Sequence, residues 1–155
     1  MKKSKIIPAV YFDACCLNRP FDNQVQYRIR VETEAILFIL ANIKTGRLLF
    51  MGSEVLDLEI DRIPDPERKR RVKSLMDNVY YSVSIKQEDI QRAKELQLIG
   101  FRPYDALHIA CAENYKADVL LTTDDKLLNL ASRFSKQIKV KIANPVKWLE
   151  EVIII

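Results

Sequence analysis

Glycine is scarce in this chain of 155 residues: Gly46, Gly52 and Gly100 are all there is. Three isolated glycines cannot build a glycine-rich cradle for phosphates. Histidine is scarcer, with His108 alone. Cysteine is limited to Cys15, Cys16 and Cys111, an odd number with two of them adjacent. No spacing among them suits a zinc site. Long apolar runs are missing too, and the final Val152-Ile153-Ile154-Ile155 is too short to cross a membrane. Lys2, Lys3 and Lys5 lead into the first strand without an apolar signal region. A cytoplasmic, reducing setting without membrane attachment is therefore expected. No internal repeat, linker or low-complexity segment interrupts the chain.

What is present suits a folded domain. Hydrophobic residues make up 48% and charged residues 30%, which excludes disorder. The length fits one domain over residues 1–155 with a real core. The net charge of +4 leans mildly toward a polyanionic partner, though an ordinary soluble surface has the same balance.

Periodicity divides the chain into alternating elements. Strands are expected at 6–12, 48–51, 80–85, 118–121 and 138–142. Helices are expected at 24–44, 54–62, 67–78, 87–99, 103–115, 124–134 and 146–151. Asn18, Pro20, Asp22 and Asn23 mark residues 15–23 as a loop. Ser53 is an expected helix N-cap, and Gly46 and Gly100 are expected helix stops. Alternating strands and helices predict an α/β fold: a central parallel sheet of about five strands with helices on both faces.

The first strand ends on a carboxylate, Asp13. A charge there needs something to repay its desolvation, and the carboxyl edge of an open α/β sheet is where ligands bind. Asp124 directly follows the fourth strand. Asp105 lies in the first turn of the helix leading into that strand, so it starts at the same edge. Glu59 follows the second strand, about 9 Å along its helix at 1.5 Å per residue. Its side chain leans back toward the helix start. Four carboxylates together repel one another and call for a cation. Mg²⁺ or Mn²⁺ suits an all-oxygen set. Such an ion orients a phosphodiester, activates water and stabilises the leaving oxygen.

Four segments resemble the PIN-domain family: Val10-Tyr11-Phe12-Asp13, Ser53 with Glu59 after it, Asp105-Ala-Leu-His-Ile-Ala-Cys-Ala112, and Leu121-Thr122-Thr123-Asp124. The resemblance implies a parallel sheet with an acidic pocket formed by Asp13, Glu59, Asp105 and Asp124. It implies an Mg²⁺- or Mn²⁺-dependent ribonuclease acting on RNA, a candidate toxin with a cognate antitoxin. Many members carry Thr or Ser just after the first Asp, where Ala14 and Cys15 stand here. The extended segment 18–44 also departs from compact toxins. The alternative is a PIN-like module that binds RNA or protein without cutting. An aspartyl-phosphate domain would need a second aspartate soon after Asp13 or one ending the third strand, and neither exists.

Bland readings stand beside the sharp ones. Asp13 also reads as a simple strand-end cap, Asp124 and Asp125 as N-caps, and Asp105 also suits a helix N-terminus. The apolar neighbours of Asp105 lead us to expect it buried. His108 is expected to pack in its helix rather than act as a base, and the three cysteines to be small buried apolar residues. Asn18 and Arg19 either touch phosphate or shape the loop. The basic run at 68–73 is expected to be a solvated helix face. Glu32, on the stripe of Ile29, Ile36 and Ile43, either pairs with a buried arginine or joins the pocket. A homodimer is expected, on the resemblance and on the apolar tail from Val152 to Ile155.

Overall fold

The computed structural model describes residues 7–153. Lys2, Lys3, Lys5, Ile6 and the last two residues of the apolar tail lie outside it. At the centre is a parallel sheet in the order β3-β2-β1-β4-β5, formed by Ala9–Phe12 (β1), Leu49–Ser53 (β2), Val79–Val83 (β3), Val119–Leu121 (β4) and Lys141–Ala143 (β5). The expected α/β class and strand number hold. Among the described residues no helix is long and apolar enough to cross a membrane.

The central strand is buried on both faces, as its apolar sequence requires. Alternation along β1 sends Val10 and Phe12 to one face and Tyr11 to the other. On the first face they pack under Tyr27–Lys44 (α2), through Ile36, Ile39 and Ile43, and under Pro145–Ile153 (α8), through Trp148. Glu54–Asp61 (α3) and Pro66–Ser74 (α4) complete that layer with Leu56, Ile60 and Val72. On the second face Tyr11, Met51 and Leu120 meet Gln87–Ile99 (α5), Pro103–Asn114 (α6) and Asp125–Arg133 (α7).

β1 has β2 on one side and β4 on the other, so the sheet reverses its winding there. Such a switch point opens a crevice at the carboxyl ends of the two strands.

Several boundaries moved. Residues 15–23 are not a plain loop: Ala14–Asn18 form a short helix (α1) and Arg19–Phe21 a single 3₁₀ turn. The Asp13 side chain caps α1 by accepting from the Cys16 amide at 3.0 Å, and Cys16 and Leu17 are fully buried. The fifth strand sits later than expected, because a 3₁₀ turn at Ser135–Gln137 and an irregular stretch after it precede β5. Gly100 ends α5 at φ +127°, a conformation that other residues adopt only with strain.

Candidate active site

Asp13 is almost fully buried, at 3% exposed. Its backbone N–H donates to the Leu121 carbonyl at 3.1 Å, tying it to the end of β4. Its side chain accepts from the Cys16 amide and from the Thr122 hydroxyl. Thr122 in turn accepts from the Asp124 amide at 3.1 Å. The hydroxyl that Ala14 cannot offer thus reaches Asp13 from the neighbouring strand. Burial pushes the Asp13 carboxyl up to about 6, against the lowering effect of these hydrogen bonds.

Asp124 caps α7, accepting from the Lys126 and Leu127 amides at 2.9 and 3.3 Å. Its other oxygen accepts from Arg102. Asp105, in the first turn of α6, accepts from the same guanidinium at 3.2 Å. Burial raises the Asp105 carboxyl and the charge of Arg102 lowers it. Asp105 is only partly buried, its side chain 19% exposed, because the apolar residues after it turn inward while it faces the edge.

Glu59 lies on α3 beside the buried Val55, Leu56 and Ile60, as the helical wheel requires. Its partner is the ring of His108 on α6, whose Nε2 meets Glu59 Oε1. His108 is 1% exposed. It packs in its helix as expected, but it also touches a candidate site acid. The other acids of α3 point elsewhere. Glu54 accepts from the Ile85 amide at 3.0 Å, Asp61 pairs with Lys73 at 2.9 Å, and Asp57 is exposed.

Desolvation raises the Cys15 thiol, and the charges of Asp13, Asp124, Asp105 and Glu59 raise it further. Direct contacts join Asp105 to Asp124 through Arg102, and Glu59 and Asp124 line one cleft. Although its thiol is partly shielded, Cys15 keeps surface open to solvent, contrary to expectation, because it lies in the first turn of α1 at the mouth of the site. A cleft of about 540 Å³ opens there, lined among others by Cys15, Arg19, Glu59, Arg62 and Asp124.

The outlying candidates have other partners. Glu32 is buried and pairs with Arg19 at 3.0 Å and Arg28 at 3.2 Å, so its structural alternative is the one realised. Asp125 is gripped by both terminal nitrogens of Arg28, at 2.7 and 2.8 Å. Arg68 straps the loop by donating to Asp22 and to the Phe21 carbonyl. Lys69, Arg70, Arg71 and Lys73 pair with Glu67 or Asp61 on a solvated face. Asn18 shapes the same loop, bonding the Ala14 carbonyl at 2.9 Å.

Among the described residues no three His, Cys, Asp or Glu side chains, as oriented, close on a single ion position. Each of the four acids instead holds a protein partner, and Arg102 bridges two of them. The donor chemistry nonetheless fits a hard divalent cation. The set is all carboxylate oxygen, the acids repel one another, and a positive group already sits between Asp105 and Asp124. The Arg102 side chain is 62% exposed.

A family model described as PIN domain matches residues 10–132. No curated protein matches the chain. Among solved structures, PAE2754 from Pyrobaculum aerophilum shares 18% identity over 93% of both chains, with a TM-score of 0.52. That likeness speaks to the fold alone.

Proposed function

Since the chain belongs to the PIN-domain family, whose members are in general nucleases, we propose that it is an Mg²⁺- or Mn²⁺-dependent ribonuclease. The reading is supported above all by Asp13 and Asp124 at the carboxyl ends of β1 and β4, with Asp105 joined to Asp124 through Arg102 and Glu59 lining the same cleft as Asp124. Asp13, Glu59, Asp105 and Asp124 would hold the cation. When bound, it would neutralise phosphate charge and activate water for attack on phosphorus.

The chain's own residues prepare this. Burial and the Thr122 hydroxyl keep Asp13 in one orientation. Arg102 neutralises Asp105 and Asp124 until it is displaced. Arg62, against the Tyr104 ring at 5.5 Å, supplies positive charge on the cleft wall for a phosphate backbone. Cleavage of labelled RNAs with Mg²⁺ or Mn²⁺ and its loss with EDTA is the expected result. Undiminished cutting by thoroughly chelated protein would refute the reading.

A second reading is a PIN-like module that binds RNA or protein without cutting. What favours it is the Arg102 bridge, which engages two of the acids. Binding of the same RNAs with no cleavage in either metal would select it. The toxin role extends the first reading: an antitoxin protein would be the partner, encoded beside this gene. Pairing with a second copy is also proposed. It rests on the half-exposed Leu37 and Phe38 of α2 and on Val152 near the end of α8. Sedimentation at tens of micromolar should show a dimer, the range where weak association becomes visible, and a monomer there would count against it.

A further inference from the structure

We propose that His108 is a positioning residue for Glu59, held as its Nε2–H tautomer by a one-way hydrogen-bond chain running Ser53 to Tyr11 to His108 to Glu59. The role rests on the ribonuclease reading; the chain itself does not.

The links are all present. Tyr11 OH lies 2.5 Å from Ser53 Oγ and 2.5 Å from His108 Nδ1. The opposite nitrogen of His108 meets Glu59 Oε1. Ser53 Oγ also accepts from the Leu56 amide at 3.1 Å, as the N-cap of α3. Ser53 and Tyr11 are fully buried, and His108 nearly so.

Counting protons fixes the direction. An ionised carboxylate only accepts, so the hydrogen between His108 and Glu59 sits on Nε2. Burial raises the Tyr11 phenol, which keeps its proton. Two arrangements then remain. In the first, Tyr11 donates to a bare Nδ1 and Ser53 donates to Tyr11; every hydrogen has an acceptor. In the second, Nδ1 also carries a hydrogen, Tyr11 turns to Ser53, and the Ser53 hydroxyl proton is left in the core with no acceptor among the described residues. A buried donor without a partner is costly, and native cores avoid it. The first arrangement stands.

Its consequence falls on Glu59. One oxygen is pinned by a rigid ring anchored in α6. Oε2 is left without a hydrogen-bond partner among the described residues. A glutamate on the edge of a cleft otherwise has three rotatable bonds to settle. The ring removes that freedom before any cation arrives, as outer hydrogen bonds do for metal-binding carboxylates.

Because His108 is the only histidine, ¹⁵N NMR of the labelled protein reads its tautomer without assignment. The expected spectrum is that of an Nε2–H imidazole. An Nδ1–H or doubly protonated ring overturns the chain, whatever the protein binds. Mn²⁺ affinity then tests the positioning role. His108→Leu should weaken it about tenfold or more, while His108→Gln, whose amide nitrogen still reaches Glu59, should stay within about threefold. Equal losses in both variants, or a better-behaved leucine, would mean that the ring merely fills space. If wild type shows the expected tautomer but binds no Mn²⁺, the ribonuclease reading and the positioning role fail while the chain stands. If the leucine variant does not fold, the tautomer and the glutamine variant still decide.

Discussion

Glu59→Gln is expected to remove cation-dependent RNA cleavage, while Glu54→Gln and Asp57→Asn stay within a few-fold of wild type. Single-turnover cleavage of one RNA by the three variants, with folding checked by circular dichroism, makes the comparison. All three acids sit on α3, so the variants share a helix and differ in the face they alter. Only Glu59 lies beside the inward residues and borders the cleft. Glu54 is occupied by the backbone after β3, and Asp57 faces water. Outer partners of metal-binding groups alone are worth roughly 10–100-fold, so loss of a carboxylate that touches the ion should cost roughly a hundredfold or more. A normal Glu59→Gln beside a dead Glu54→Gln would mean that α3 presents its other face to the substrate.

Asp13→Asn is expected to abolish cutting and yet leave the metal-free protein at least as stable at neutral pH. The cause is the cost of an ionised carboxylate in a nearly closed site. Folding raises the Asp13 pKa from its ordinary 3.8 to about 6. The folded state therefore holds this proton more tightly than the unfolded chain does. That contribution is fully present below about pH 4, and it is lost as pH rises through about 6. The difference amounts to about 3 kcal/mol of stability missing at pH 7.5. Asparagine carries no such charge and still offers an oxygen to the Cys16 amide. Melting of chelated proteins should show the variant ahead by several degrees at pH 7.5, with the gap closing near pH 4. A clearly lower melting temperature for the variant at pH 7.5 would make Asp13 a structural cap first.

Much of this architecture can be read from the chain itself. β1, β2 and β4 are short, mostly apolar runs, and α5 ends at Gly100, where the residues say it should. The first stretch after Asp13 was harder. Asn18, Pro20, Asp22 and Asn23 are loop formers, but Asp13 caps a helix there and Cys16 and Leu17 find the core. That outcome depends on tertiary burial rather than on local preference.

The placement of Asp13, Asp105 and Asp124 follows from the geometry of parallel sheets, and that of Glu59 from its distance along α3 and the backward lean of helical side chains. Their partners were less visible. Thr122 had a local signal, a hydroxyl two residues before Asp124. Arg102 had a weaker one, three residues before Asp105 at a helix start. The contact of His108 with Glu59 had none, because it joins residues 49 apart through the packing of α3 on α6. The exposure of Cys15 escaped for the same kind of reason: the sequence does not say which side of a short helix faces the cleft.

The central claim is that these four acids form one cation site. Titration of Mn²⁺ into the metal-free protein, followed by calorimetry, tests it most directly, with Asp13→Asn and Asp57→Asn alongside. The account predicts binding by wild type and by Asp57→Asn, and its loss in Asp13→Asn. Binding of equal strength in Asp13→Asn, or no binding by wild type at millimolar Mn²⁺, the weak end of specific affinity, would contradict it.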